Sequence, residues 1–257
     1  MNRRRETGVT SFQIPGGRSV LIDNRIGADA ADTAILTLAR RGAEESYTVI
    51  SDRLSADPPD VRPAVPKLHI CILLRPGKRS EHAGIFGAIA TLAACHAIER
   101  NSDHKTSIRW LGGIYSDRRR IAKVSSECML LPSGYLDYLI LRTDIELSPT
   151  RFPTRMTDTV TRIFTARHIS TADHVAQVMV HDFFSLYDSL GANGAEGTPF
   201  WEEDKRRSRL LGKRVKVRIG GKRRTATASD IDALGRLCVT LRDGKTVALT
   251  SQAQLLS

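Results

Sequence analysis

The sequence predicts a protein of mixed strands and helices with a smaller unit at its C-terminus, and three observations carry that expectation. Its 257 residues are 41% hydrophobic, enough for one sizeable core and an appended small domain. Segments with strand-like alternation or short apolar runs are interleaved with segments of helical period. The charge also steps abruptly. Met1 to Asp204 carries 25 Lys+Arg against 25 Asp+Glu and Lys205 to Ser257 carries 14 against 3, so the whole excess of +11 lies in the last 53 residues.

Taken in order, Ser19 to Ile22 reads as a first strand and Asp29 to Arg41 as a helix, with Ile35, Leu36, Leu38 and Ala39 on its apolar face and Gly42 as its stop. Tyr47 to Ser51 is the next strand, and Asp52 to Pro66 is a loop rich in Pro and Asp. Leu68 to Leu74 forms an apolar strand ending in Arg75-Pro76. Ser80 to Glu99 follows as a helix with Ile85, Phe86, Ile89, Leu92 and Ala93 at helical spacing. Tyr135 to Leu147 reads as a long strand, and Thr157 to Phe164 and Ser170 to Leu190 as helices. The second of these is capped by Ser170 or Thr171 and striped with Val175, Val178, Met179, Phe183, Leu186 and Tyr187.

Three glycines between Gly191 and Pro199 mark a linker, and a short helix is expected at Trp201 to Arg209. Beyond it Val215, Val217 and Ile219 alternate with Arg214, Lys216 and Arg218, which makes a strand with one apolar and one basic face. Gly220-Gly221 and Asp243-Gly244 are hairpin turns. The expected organisation is a basic segment over 1–18, a main domain over 19–190, a linker over 191–204 and a basic β unit over 205–257.

Several classes are excluded on composition. No run of about 18 apolar residues is present, so no membrane crossing is expected. Met1 to Thr10 is basic but lacks the apolar stretch of a secretory signal, and a cytosolic location follows as the simplest expectation. Cys71, Cys95, Cys128 and Cys238 are widely spaced inside apolar segments and read as small buried hydrophobes. His82 and His96 read as surface or satisfied core residues, and no metal site is expected.

The stretch Ile108 to Glu127, I-R-W-L-G-G-I-Y-S-D-R-R-R-I-A-K-V-S-S-E, resembles the signature of biotin protein ligases, roughly K-W-P-N-D-L-Y-x-x-x-x-K-I-A-G-I-L-x-E. Trp110, Ile114, Tyr115, Ile121, Ala122 and Glu127 fall on matching positions. The resemblance continues from Ser19 almost to the end and implies two antiparallel strands around a turn here. It also implies an α+β fold, a mixed β-sheet packed with helices, followed by a small SH3-like β-barrel. Lipoate ligases and octanoyl transferases share the catalytic fold, but the C-terminal unit favours the biotin branch.

The resemblance implies activation of biotin with ATP and magnesium, then transfer to a lysine of a carboxyl-carrier domain. The residues that would do this are replaced. The family's first lysine becomes Arg109, its Asn-Asp pair Gly112-Gly113, its second lysine Arg120, and a ligand-side glycine Lys123. Its Ser-Thr-Asn triplet becomes Ile26, Gly27 and Ala28. Its phosphate loop, A-E-x-Q-T-A-G-R-G-R, becomes S-D-R-L-S-A-D-P-P-D, where prolines remove amide donors and carboxylates repel a phosphate. Its two strand glycines become Ile140 and Arg142, and its asparagine becomes Asp144.

The remnant pocket is therefore expected at Leu54, Ser55, Trp110, Gly112, Gly113, Ala122, Lys123 and Asp144, with Arg109 and Arg120 at the former catalytic positions. A pseudo-ligase acting in binding is the leading expectation. One alternative is an active biotin or lipoate ligase using biotin, ATP and magnesium. The other is nucleic-acid binding, because Lys205 to Arg224 holds 11 basic and no acidic residues. Arg214, Lys216, Arg218, Lys222, Arg223 and Arg224 form the expected partner face, for an acidic protein such as a carrier domain or for a phosphate backbone. A homodimer is compatible with the resemblance.

Overall fold

The computed structural model describes residues 9–13, 19–23, 28–51, 67–147, 172–190 and 198–256. The loop expected at Asp52 to Pro66, with Leu54 and Ser55, and the helix expected at Thr157 to Phe164 lie outside the described residues, as do Ser170 and Thr171. Eight strands make one sheet: β1 (Val9–Gln13), β2 (Ser19–Asp23), β3 (Tyr47–Ser51), β4 (Lys67–Leu74), β5 (Ser107–Arg109), β6 (Gly113–Ser116), β7 (Arg119–Leu130) and β8 (Leu136–Glu146). Their order is β1-β2-β3-β4-β8-β7-β6-β5. Among the described strands only β2 and β3 pair in parallel, across helix α1 (Ala28–Arg40), so the sheet is mixed. β1 is a strand the sequence did not announce, placed within the segment read as a basic leader and paired antiparallel with β2.

β4 sits centrally and is buried along nearly its whole length, which is why it reads as a continuous apolar run rather than an alternating one. Leu68, Ile70, Ile72 and Leu74 face the larger core, built with α2 (Ala83–Arg100) and α3 (Ala172–Asp188). Cys71 and Leu73 face the opposite side, where Ala31, Ile35 and Ala39 of α1 cover them. A 3₁₀ turn leads into α2, and Ser80–Arg100 is long and apolar enough by composition to cross a membrane. It is instead the core helix, with Ile85, Phe86, Ile89, Leu92 and Ile98 all buried.

A polar node ties α2 and α3 to α4 (Pro199–Arg207). His96 pairs with Asp182 at 3.4 Å and Glu203 at 3.2 Å, and its pKa is raised, chiefly by the Asp182 hydrogen bond. Arg207 grips Glu99 at 2.7 Å and Glu203 at 2.7 Å. Burial alone would raise the Glu99 pKa, but Arg207 and Thr106 overcome it and hold the carboxyl at about 2.

α4 corrects the expected linker. Pro199 to Asp204 is helical, and Phe200 and Trp201 are buried in the main core, so the segment is held by packing and the expected boundary at 204/205 falls inside a helix. Beyond it β9 (Arg214–Ile219), β10 (Lys222–Ile231), β11 (Leu237–Leu241) and β12 (Thr246–Leu249) form an antiparallel sheet in the order β12-β11-β10-β9. Gly220 and Gly221 both have positive φ, 56° and 77°, as a tight hairpin requires. Val215, Val217, Ala228 and Val239 join the same core cluster as α2 and β7.

Helix α2 and the β10–β11 loop meet through a close backbone contact. A Cβ built on Gly84 of α2 would lie 2.6 Å from the Leu234 carbonyl oxygen, and one on Gly235 would lie 2.9 Å from the Gly84 carbonyl carbon. Trp110 adds a buried hydrogen bond, its indole Nε1–H donating to the Gly235 oxygen at 2.9 Å. Gly84→Ala is expected to destabilise the protein by about 1–3 kcal/mol through overpacking against backbone. Urea denaturation checks it: a falling midpoint is expected, and an unchanged midpoint would mean the C-terminal loop is not held against α2.

Candidate functional site

The central stretch folds as three strands, β5, β6 and β7, with turns at Trp110–Gly112 and Asp117–Arg118. This corrects the two-strand expectation. The first turn is tightly constrained: Leu111 and Gly112 have φ of 62° and 81°, and the Val124 N–H donates to the Gly112 oxygen at 2.7 Å. A Cβ at Gly112 would lie 2.2 Å from the Val124 oxygen, and one at Gly113 would lie 3.1 Å from the Tyr115 ring. No side chain enters at 112 without moving the backbone.

Beside this turn lies a cavity of about 250 Å³, whose walls include Gly87 of α2, Trp110, Gly112, Lys123 of β7, Asp204 of α4 and Gly235. Of the residues expected at a remnant pocket, Trp110, Gly112 and Lys123 line this cavity. Gly113 and Ala122 sit next to it in β6 and β7 without being among its walls. Arg109 and Arg120 are on β5 and β7 outside it, Arg120 exposed beside Tyr115. Asp144 is opposite Lys123 in the β7–β8 ladder, but its carboxylate is committed to His69.

Asp204 is the wall residue that sequence reasoning passed over. It is 5% exposed and burial pushes its pKa up to about 7, against the pull of Arg207. Its signal was spacing: Phe200, Trp201 and Asp204 share one face of α4, which puts an acid on the buried stripe of a helix whose other face is charged.

The opposite face of the sheet holds a second polar cluster around β4. His69 Nδ1 meets Asp144 Oδ1 at 2.6 Å. His69 Nε2 lies 3.0 Å from Cys71 Sγ and 3.4 Å from Asp32 Oδ1 of α1, and Cys71 Sγ is 3.5 Å from the same oxygen. Arg142 binds Asp32 at 2.5 Å and Glu127 at 2.7 Å. Burial opposes charge on His69, but Asp144 and Asp32 outweigh it and raise its pKa. Burial pushes the Cys71 thiol up. Three donor types thus converge where none was expected, because Asp32 is distant in sequence from His69 and Cys71. The cysteine expectation also needs correction elsewhere: Cys71 and Cys95 are buried, Cys128 is exposed and Cys238 is intermediate.

On the C-terminal sheet, Arg214, Lys216, Arg218 and Arg223 share the outer face, with Arg218 directly opposite Arg223 in the ladder. Lys222 and Arg224 are exposed but take the opposite parity of β10, so they flank this face rather than extend it.

Asp204 makes stability fall with pH. Its folded pKa lies above the unfolded value of 3.8, so the folded state holds the extra proton. The contribution is full below about pH 4 and is lost as pH rises through 7. Asp204→Asn is expected to raise the melting temperature at pH 8 and change it little at pH 5; an equal shift at both pH values would rule out a buried titrating carboxyl.

The comparisons with known proteins agree with this architecture. Residues 210–251 match the family model described as "Biotin protein ligase C terminal domain". No curated protein matches the chain. Among solved structures, the biotin protein ligase of Aquifex aeolicus superposes with a TM-score of 0.61 at 16% identity, over 86% of this chain and 92% of that one. Its complex with biotin and ATP gives 0.57 at 14%, over 91% and 94%. A biotin protein ligase-like protein of unknown function from Silicibacter sp. tm1040 gives 0.66 at 15%, over 93% and 96%. At such identities the likeness speaks for the fold alone, and with the C-terminal match the conclusion is that this chain has the biotin protein ligase-like fold, a helix-backed mixed sheet followed by a C-terminal domain of the biotin protein ligase type.

Proposed function

We propose that this chain is a pseudo-ligase, a biotin protein ligase-like protein that does not form an acyl-adenylate and acts by binding. The observation that carries this reading is Gly112 packed on Val124. At the position where the resemblance implies a polar pair for the ATP-bound metal, a Cβ would stand 2.2 Å from a backbone oxygen. Glycine offers no oxygen side chain to magnesium; the backbone leaves no room to restore the first of the pair at Gly112, and at Gly113, the aspartate position, a Cβ would meet the Tyr115 ring at 3.1 Å.

Other groups support the same reading. Lys123 stands where the family has a ligand-side glycine, on the β7–β8 face that carries Asp144. Arg142, also at a glycine position, is held by Asp32 and Glu127. Asp144, at the asparagine position, is held by His69. Adenylation requires preorganised positive charge and a metal at the developing phosphate charge. The residues present do not fit biotin, ATP and magnesium held in the family's manner.

The binding surface we assign is the outer face of β9 and β10. Like charges directly opposed in a ladder destabilise a sheet, and an anionic partner relieves the Arg218–Arg223 repulsion. An acidic protein, with a carboxyl-carrier domain as the first candidate, fits that face. Nucleic acid would use the same groups through its phosphates, with a steeper loss of affinity in salt.

Isothermal titration of the purified chain with biotin, and then with ATP and magnesium, is expected to give no heat at micromolar concentrations. Labelled biotin is expected not to enter a carrier domain. Micromolar binding of both ligands together with label transfer would sink the pseudo-ligase reading.

A further inference from the structure

We infer that Asp32, His69 and Cys71 form a binding site for a single zinc-class divalent metal ion. The site goes beyond the proposed function and does not depend on it.

The first argument is metric. Tetrahedral zinc has bonds of about 2.3 Å to sulfur, about 2.0 Å to imidazole nitrogen and about 2.1 Å to carboxylate oxygen, so its donors stand roughly 3.4–3.6 Å apart. Here Oδ1 of Asp32 is 3.4 Å from His69 Nε2 and 3.5 Å from Cys71 Sγ. The remaining edge, Nε2 to Sγ, is 3.0 Å and opens by about half an ångström with a small turn of the imidazole. Nitrogen, thiolate sulfur and carboxylate oxygen together suit a borderline ion of the zinc type rather than magnesium or calcium, which prefer all-oxygen shells.

The second argument is the support around the donors. A metal-bound histidine ordinarily donates its other ring N–H to a carboxylate, which fixes the tautomer and the ring plane. His69 does this with Asp144 at 2.6 Å, leaving Nε2 turned toward Cys71 and Asp32. Arg142 steadies Asp32; a carboxylate oxygen has lone pairs for both an arginine and an ion. His69 and Cys71 come from alternate positions of β4, which is buried along nearly its whole length, so two of the three donors sit on a central strand.

The third argument is access. The Asp32 side chain is 49% exposed and that of His69 9%, so the cluster opens outward past α1. Three protein donors with an open side is the pattern of zinc sites that keep a water or substrate oxygen in the fourth position. Binding releases the Cys71 thiol proton to solvent, together with the Nε2 proton of His69 in the fraction of chains where the imidazole is charged.

The test uses the full chain after dialysis against a chelator. Titration with zinc is expected to show one ion per chain. Titration with cobalt(II) is expected to give a thiolate-to-cobalt charge-transfer band and tetrahedral visible bands. Cys71→Ser, which keeps the side-chain volume, abolishes the charge-transfer band. Asp144→Asn keeps the band and weakens binding by roughly 10–100-fold. Circular dichroism confirms that each variant is folded. No binding by the folded wild type, or a band that survives Cys71→Ser and vanishes in Cys128→Ser, would overturn the assignment; biotin and ATP titrations are read separately and do not bear on it.

Discussion

The contact between Gly112 and Val124 is the constraint on which the rest of the site depends. The turn that follows β5 folds back onto β7, accepts the Val124 N–H at 2.7 Å, and leaves no space for a side chain. Leu111 is held in the left-handed region at φ 62°, a conformation that costs an ordinary residue on the order of 1–2 kcal/mol and persists only where the surroundings over-determine it. They do so here. Trp110 is buried and bonded to Gly235, and Gly235 lies against Gly84 of α2. One turn therefore fixes β7, the C-terminal loop and the core helix, and it shapes the cavity among them.

The charged groups divide into those that are satisfied and those that are not, and the division decides what each can do. His96, Arg100 and Arg207 pair with Asp182, Glu203 and Glu99 between three helices, with Asp182 Oδ2 left without a hydrogen bond. Removing one partner of such a half-buried network leaves the others charged and unpaired, which is why networks of this kind hold structure rather than perform chemistry. Asp204 is different: it lines the cavity, and burial raises its pKa toward neutrality. The outer face of β9 and β10 is different again, since Arg218 and Arg223 repel one another across the ladder. Under the proposed binding role, this unsatisfied charge is where a partner gains most.

Much of the fold was legible because core positions announce themselves by period. β3, β4 and the long core helix were readable from apolar spacing alone, and the basic outer face from Val215, Val217 and Ile219 alternating with Arg214, Lys216 and Arg218. β1 was hidden because Val9–Gln13 is short and mostly polar, and a two-strand edge hairpin needs little apolar content. The short helix expected at Trp201 to Arg209 is α4, which begins at Pro199; the linker bound at 204 overlapped it, although Phe200 and Trp201 carried the signal of burial. The candidate site was read less well. Trp110, Gly112 and Lys123 were placed at the cavity through the resemblance, whereas Arg109 and Arg120 were carried over by motif position and do not reach it. His69 and Cys71 sit two apart on one strand, a visible pairing, but Asp32 joins them only after α1 packs across the sheet.

That asymmetry between fold and site has a physical origin. The sheet is specified by many apolar positions, each replaceable by another apolar residue of similar volume, so the architecture survives at identities of 14–16% to its structural relatives. A reaction is specified by a few polar atoms at fixed distances, and one backbone contact such as Gly112 on Val124 removes a position altogether. The β7–β8 ladder still presents Lys123 opposite Asp144 and Ser125 opposite Arg142. The frame therefore delivers two adjacent side chains per strand to the same place whatever they are. With histidine and cysteine on the neighbouring β4 and an aspartate on α1, that place gathers the nitrogen, sulfur and oxygen donors on which the proposed metal site rests.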